Sequence, residues 1–510
     1  MTIVNALPGR IGLVWGLLLA VGLTGCGGSD STSSSELPNQ LDLELRTEIN
    51  THQLTGDPST GRELPSIDSP KAQLGMQLFY SKALSGDMDT ACVTCHHPML
   101  GGGDDLALSV GVDAEYQDLL GLGRLHSQDG DHFDGGPTVP RNAPTTFNIG
   151  MWDKVLFHDG RVESLSGTAR KGGADGAGIR TPDVAYGSAD PDAGTSLAVA
   201  QARFPVTSPE EMKNFGWFDG ASNQQVRQYL QERLGGYGNP PGGHLSTNHW
   251  LELFVAAYGN AQSTPESVIT FANVADALAA YESSQVFVDT PWKAYVQGNE
   301  EALTASQKRG ALLFYRSVEQ GGADCAACHS GDFFTDEQFH NVAMIQIGRG
   351  KGNGEDGSED FGRFRETGEE KDRFAFRTPT LLNVTATGPW GHAGAFSTME
   401  GFIRQHLDPE RGFYEYDWAQ LDGNVQVTHA ERNSLKALNH WLALLESGQS
   451  LLPVVSLDDG QVTDLVNFME ALTDPCVEVR ECMAPWIPDE AMPDPDDMRL
   501  DGMDLDGNYL

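Results

Sequence analysis

Positive charge is what this chain has least of: 33 Lys and Arg stand against 72 Asp and Glu over 510 residues, a formal net charge of -39. Phosphate contacts need clustered Lys and Arg, so this balance argues against nucleic-acid or anionic-membrane binding and favours a basic protein partner. Long apolar runs are scarce as well. One follows Arg10, "IGLVWGLLLAVGL", too short to span a bilayer comfortably, and no second run of spanning length comes after it. Sustained period-two alternation is also scarce, which predicts few strands. Apolar residues recur instead at helical spacing in "KAQLGMQLFYSKAL", "VITFANVADALAAYESSQ", "SQKRGALLFYRSV" and "ERNSLKALNHWLALLES", so the class expected is mainly α.

The N-terminal run sits between Arg10 and "LTGC", ending at Cys26, a charged, apolar and small-residue succession that resembles a bacterial lipoprotein signal peptide. The resemblance implies that residues 1–26 form the signal and that Cys26 carries the lipid, on the periplasmic side of a bacterial envelope. The Ser- and Gly-rich stretch that follows reads as the start of a flexible tether, taken as 27–60.

Of 7 cysteines, four fall in two C-x-x-C-H motifs, Cys92–Cys95–His96 and Cys325–Cys328–His329. Chance in a chain of this composition yields on the order of 0.003 such motifs. Two thiols three residues apart lie on one side of a helical turn, where they can form thioethers to the two vinyl groups of a haem, and the adjacent imidazole then faces the iron. Zinc would need four ligands close together, and a redox dithiol needs no histidine. The motifs therefore predict two covalently attached c-type haems with His96 and His329 as proximal ligands. Cys476 and Cys482 are left to pair as a small disulfide, which an oxidising compartment allows.

The chain repeats itself around these motifs. "GMQLFYS" from Gly75 precedes the first anchor and "GALLFYR" from Gly310 the second; "PTTFN" (144–148) and "PTLLN" (379–383) follow at matched offsets; then come His158-Asp159-Gly160 and His392-Ala393-Gly394. Two cytochrome c-like domains in tandem are expected, at 61–298 and 299–475. Long Gly-, Asp- and Pro-rich loops at 99–142, 170–204 and 348–372 would wrap the haem edges. Residues 476–510 read as an acidic, solvating tail, and its D-x-D-G-N fragment lacks the Glu that would close an EF-hand loop.

From about Leu64 to Thr473 the ordered motifs "CVTCHHP", "RNAPTTFN", "LFHDGRVESL", "PEEM", "CAACHSGDFFTDEQFHN" and "RTPTLLNVTATGPWGHAGAF" make the chain similar to the bacterial di-haem cytochrome c peroxidases and their relative MauG. The resemblance implies an enzyme that reduces hydrogen peroxide to water at the N-terminal haem. Electrons would enter through the C-terminal haem from a small cytochrome c or cupredoxin, and such proteins are often homodimers. It implies that Glu211, rather than its neighbour Glu210, moves a proton between the peroxide oxygens. It also implies a calcium ion between the haem domains, held by Asn142, Thr387 and Pro389; without the resemblance Asn142 is merely a turn residue.

The chain departs from the family pattern in three ways. His406 in "TMEGFIRQHL" stands where the peroxidases carry a distal Met and MauG a Tyr, with Met399 as the rival ligand; a bis-His haem has the lower potential. Val112 stands where many peroxidases carry a capping histidine, and an inserted stretch supplies His126 and His132. His158 and Thr168 replace the usual Trp and Gln, with Trp152 and Trp390 nearby as substitutes in electron transfer. The alternatives kept open are a MauG-like oxidase acting on a partner protein and a lipid-anchored electron-transfer cytochrome without enzymatic activity.

Overall fold

Two helix pairs, built alike, organise the molecule. In this computed structural model, which describes residues 40–510 except 217, 261, 422, 423 and 490, the longer helices are Gln40–Thr51 (α1), Pro70–Tyr80 (α2), Asn223–Gly235 (α3), Trp250–Tyr258 (α4), Phe271–Ser283 (α5), Ala305–Tyr315 (α6), Met399–Leu407 (α7), Ala430–Glu446 (α8) and Asp459–Glu470 (α9). Residues 40–510 form one unit. The four helical stretches expected from periodicity correspond to α2, α5, α6 and α8. The Ser69 and Thr304 hydroxyls cap α2 and α6 by accepting from Ala72 N and Gln307 N.

Helix α2 crosses α5 and α6 crosses α9 at very close range. A Cβ on Gly75 would lie 1.9 Å from the Ala277 carbonyl oxygen, and one on Gly310 would lie 1.9 Å from that of Asp464. Both glycines are therefore demanded by backbone contact, and the "GMQLFYS" and "GALLFYR" repeats are read out as the same crossing made twice. Around the first crossing Leu78, Phe79, Tyr281 and Trp250 are buried; around the second, Phe314, Trp292 and Phe468. Strands are few and short: Val155–Leu156 (β1), Val162–Ser164 (β2) and Ile179–Arg180 (β3) form one antiparallel sheet in that order, and Phe339–His340 (β4) pairs antiparallel with Phe376–Arg377 (β5). No helix among the described residues is long and apolar enough to cross a membrane.

Two expectations are corrected here. The tether does not extend to residue 60, because residues 40–51 are helix α1. Its Leu41, Leu45 and Ile49 recur every four residues and pack into the second core, and its acids are paired, Asp42 with Lys308 at 2.6 Å and Glu44 with Arg316 at 2.8 Å. Thr55 and Gly56 then donate backbone N–H groups to Asp332. The signal segment, Cys26 and residues 27–39 lie outside the described residues.

Nor is the stretch 476–510 a solvating tail. Cys476 and Cys482 are bridged, as expected. Beyond them the chain runs as a strap along the first repeat. The Trp486 carbonyl accepts from Tyr281 Oη at 2.7 Å, Asp496 accepts from Ser81 Oγ and Trp250 Nε1 at 2.7 and 2.9 Å, and Leu500 is fully buried. Two further acids, Asp494 and Asp504, accept backbone N–H groups of their own turns. Removing the bridge with the paired changes Cys476→Ser and Cys482→Ser should lower the unfolding free energy by about 2 kcal/mol for so short a loop. Urea denaturation of the oxidised protein would read this, and an unchanged midpoint would mean that Trp486 and Leu500 suffice to hold the strap.

Candidate functional site

Both C-x-x-C-H motifs fold as one tight turn, Cys92–Thr94 and Cys325–Ala327 leading directly into the histidines. In each, the imidazole is held by its Nδ1. His96 Nδ1 is 3.1 Å from the Gly102 carbonyl oxygen, and His329 Nδ1 is 3.1 Å from those of Phe334 and Pro379. A carbonyl can only accept, so the proton sits on Nδ1 and the Nε2 lone pair is left free. Burial pushes both imidazoles down, His329 to about 4, and keeps them neutral. The four motif thiols are unbridged. A free thiol pair beside a neutral imidazole with an open Nε2 is the donor set that a c-type haem requires, and both motifs fit it.

A largely apolar cavity reaches both motifs, lined by His96, Trp152 and Phe157 from the first repeat and by His329, Met399 and His406 from the second. His406 lies across this cavity from His329. Its Nδ1 is 3.0 Å from the Phe402 carbonyl oxygen, so its Nε2 is also free, and burial pushes its pKa down. Met399 lines the same cavity from the first turn of α7 while packing into the second core. Trp152 and Trp390 both line it, Trp152 under the Arg377 guanidinium at 3.6 Å. Thr168 is exposed. Gln201, which nothing in the sequence pointed to, lines the cavity with a buried Oε1 that has no hydrogen-bond partner among the described residues.

Glu210 and Glu211 sit on a single wide turn, Pro209–Lys213. The turn is clamped by Gly111, where a Cβ would lie 2.4 Å from the Glu211 carbonyl oxygen and 2.5 Å from that of Glu210. The two carboxylates diverge. Glu210 accepts from Ser208 Oγ at 3.0 Å and faces an outer cavity. Glu211 lies 4.0 Å from Arg161, whose guanidinium stacks at 3.5 Å on Phe157 in the wall of the apolar cavity. Burial pushes the Glu211 carboxyl up, opposed by the positive charges of Arg161 and Lys351.

Val112 is fully buried beside this turn. Neither inserted histidine lines the cavity of His96. His126 is buried, with Nδ1 2.8 Å from the Ser127 carbonyl oxygen, while His132 packs on Phe215 at 4.1 Å in the wall of the outer cavity. His158 Nε2 is 3.1 Å from the Asn142 carbonyl oxygen, and His392 stacks on Phe376 at 3.8 Å.

The Asn142 side-chain amide is met by three carbonyl oxygens: Leu106 at 2.9 Å, Pro389 at 3.3 Å and Ala107 at 3.4 Å. The structure thus brings Pro389 and Asn142 together, the amide nitrogen donating to the carbonyl oxygen, and Thr387 lines the same cavity. Cys328, Asp336 and His340 also offer atoms within 4.8 Å of one another. His340 is already paired with Asp336 at 2.8 Å, and Cys328 belongs to the second motif, so this group reads as the surroundings of that motif rather than a separate metal centre.

Residues 69–301 match the family model of the di-haem cytochrome c peroxidases. The chain is 26% identical over 407 residues to the methylamine utilization protein MauG of Methylorubrum extorquens, covering 79% of this chain and 86% of that one. It is 25% identical over 332 residues to the cytochrome c551 peroxidase of Pseudomonas aeruginosa, covering 64% of this chain and 69% of the relative. The crystal structure of a MauG-like protein associated with microbial copper homeostasis shares the fold with a TM-score of 0.53 at 21% identity, over 85% of this chain and 98% of that one.

Proposed function

From the premise that this chain is a member of the di-haem cytochrome c peroxidase and MauG family, we propose that it reduces hydrogen peroxide to water with electrons from a small periplasmic redox protein, a cytochrome c or a cupredoxin. The observation that carries this reading is the Glu211 carboxylate beside Arg161, next to the cavity that His96 enters. Two cytochrome c-like domains, meeting near residue 298, would each hold one haem: Cys92, Cys95 and His96 the first, Cys325, Cys328 and His329 the second, with His406 as the distal ligand of the second. When bound, the first haem supplies an iron to which peroxide can bind and the second passes electrons to it. Glu211 takes the proton from one peroxide oxygen and returns it to the other, so that the O–O bond breaks toward water rather than toward a hydroxyl radical. Arg161 keeps the carboxylate able to accept that proton, and Phe157 and Trp152 exclude bulk water. Mixing haem-loaded protein, reduced small c-type cytochrome and peroxide tests the reading: rapid donor oxidation supports it, and a donor that stays reduced overturns it.

A MauG-like oxidation of a partner protein is the second reading, favoured by His406. Its Nε2 faces the His329 cavity in place of a sulfur ligand, and a bis-His site has the lower potential. His406→Met should therefore raise the midpoint potential of the second haem, a change read by redox titration against the roughly 0.8 V range that axial ligands span. An unmoved potential would give the ligand role to Met399.

The carbonyl oxygens that the Asn142 amide meets, Pro389 among them, would suit calcium once the amide turned to present its oxygen, with Thr387 supplying a further carbonyl. The chain would be held on the periplasmic side by a lipid on Cys26 and would pair as a homodimer.

A further inference from the structure

The ring contacts around the second motif do not end at the cavity wall. His406 and Phe402 both line the apolar cavity from α7, with ring centroids 4.6 Å apart. Phe402 meets Phe396 at 5.6 Å, Phe396 meets Tyr416 at 5.3 Å, and Tyr416 meets Trp418 at 4.7 Å, all within the contact range of packed rings. Phe396 and Tyr416 are buried, whereas Trp418 is half-buried between the exposed Asp417 and Ala419, so the series runs from the cavity through the core to the surface. The backbone fixes both parts of it. Phe396 and Trp390 exchange N–H···O bonds at 3.1 and 2.8 Å, and Gln420 Oε1, in the turn that begins at Trp418, accepts from Ser397 N at 3.0 Å.

The two outermost rings, unlike the two phenylalanines, can lose an electron at potentials that a protein reaches. They differ in the fate of the proton. An oxidised phenol has to give its proton up, and Tyr416 Oη donates to the Ala395 carbonyl oxygen, which accepts a hydrogen bond but is no base; burial also pushes that phenol's pKa up. An oxidised indole can keep its proton or release it to the solvent at Trp418. We propose that Trp418 is the surface residue through which electrons from a protein partner enter, crossing the Tyr416, Phe396 and Phe402 rings to the His406 side of the second haem. The inference rests on the peroxidase reading and on the second haem lying between His329 and His406. A partner whose own residue is oxidised would send electrons inward by the same route. Peroxide, two electrons and two protons from solvent give two waters. Each electron leaves Trp418 inward, and the one-electron-oxidised indole takes its replacement from the partner, so the partner is oxidised and Trp418 ends unchanged.

Without a donor nothing restores the indole. Withdrawal of two electrons, addition of a water oxygen and release of two protons then leave a hydroxylated tryptophan. Peptide mapping by mass spectrometry of the haem-loaded protein after peroxide treatment should therefore place oxygen on Trp418, and reduced small c-type cytochrome added with the peroxide should protect it. Phe402→Leu interrupts the series at the cavity wall and should abolish the modification, with the absorption spectrum reporting that both haems stay attached; Phe396→Leu serves if that variant does not fold. Trp418→Phe should lower kcat/KM for the cytochrome and Trp418→Tyr should recover it, because a half-exposed phenol can release its proton to water. Oxygen on Trp418 that persists in the leucine variants is direct surface oxidation by peroxide and overturns the route. Oxygen on Trp152 or Trp390 with Trp418 intact overturns it as well. A parent protein that consumes no peroxide overturns instead the peroxidase reading on which the route rests. A modification that survives in Glu211→Gln but is lost in Phe402→Leu upholds the route and removes only the role of Glu211.

Discussion

Glu211→Gln should cut peroxide turnover by about 10²–10⁴-fold, the range that a positioned acid or base contributes, while leaving both haems attached. Glutamine keeps the shape of the side chain and can still lie near Arg161, but it cannot take a proton from one peroxide oxygen and hand it to the other. Burial pushes this carboxyl up, and the positive charges of Arg161 and Lys351 pull it down. Steady-state donor oxidation at saturating and limiting peroxide reads the effect, and the absorption spectrum checks haem attachment. Glu210→Gln should lose far less, since its carboxylate faces the outer cavity and Ser208. Equal losses in the two variants would mean that the turn acts only through its net charge.

What could be read in the sequence was the chemistry that needs contiguous residues. A thioether pair and its proximal imidazole have to be adjacent, so Cys92–His96 and Cys325–His329 are visible without any fold. The "GMQLFYS" and "GALLFYR" segments are visible as a repeat, but that each glycine meets a partner helix's backbone is shown only by the fold. Glu211 was legible only through resemblance. Its distinction from Glu210 depends on Arg161, 50 residues upstream, and on which way a wide turn aims two neighbouring side chains. Lys351 had no signal at all, lying in a glycine-rich loop whose composition looks merely flexible. The strap and α1 were misread because composition outweighed pattern. Asp494 and Asp504 look like solvating charges until their turns are formed, and the Leu41–Leu45–Ile49 stripe sits on a helix only twelve residues long, directly after a Ser-rich segment.

Arg141→Met should destabilise the folded protein by about 3–5 kcal/mol at neutral pH, the cost of breaking a buried ion pair by removing one partner. Arg141 donates to Asp360 at 2.6 and 2.8 Å and to Asp159 at 2.6 Å, and all three residues are buried. Asp159 belongs to the first repeat and Asp360 to the second, so one guanidinium ties the repeats together. Burial alone would push both carboxyls up; the charge of Arg141 overrides it and holds both far below the ordinary range. Carboxyls lowered by folding stabilise the protein above their unfolded pKa, near 4, and that contribution is lost as pH falls toward their folded values. In the Met variant Asp159 keeps Arg161 at 3.3 Å, but Asp360 keeps no guanidinium, and its pKa should rise instead. The deficit against the parent should then be largest at neutral pH and shrink toward pH 4, where a buried Asp360 is satisfied as the neutral acid. Urea denaturation of the haem-loaded proteins across that range reads the difference. A deficit that stays constant with pH would assign the role of Arg141 to packing against Phe376, which its guanidinium overlies at 5.7 Å, rather than to charge.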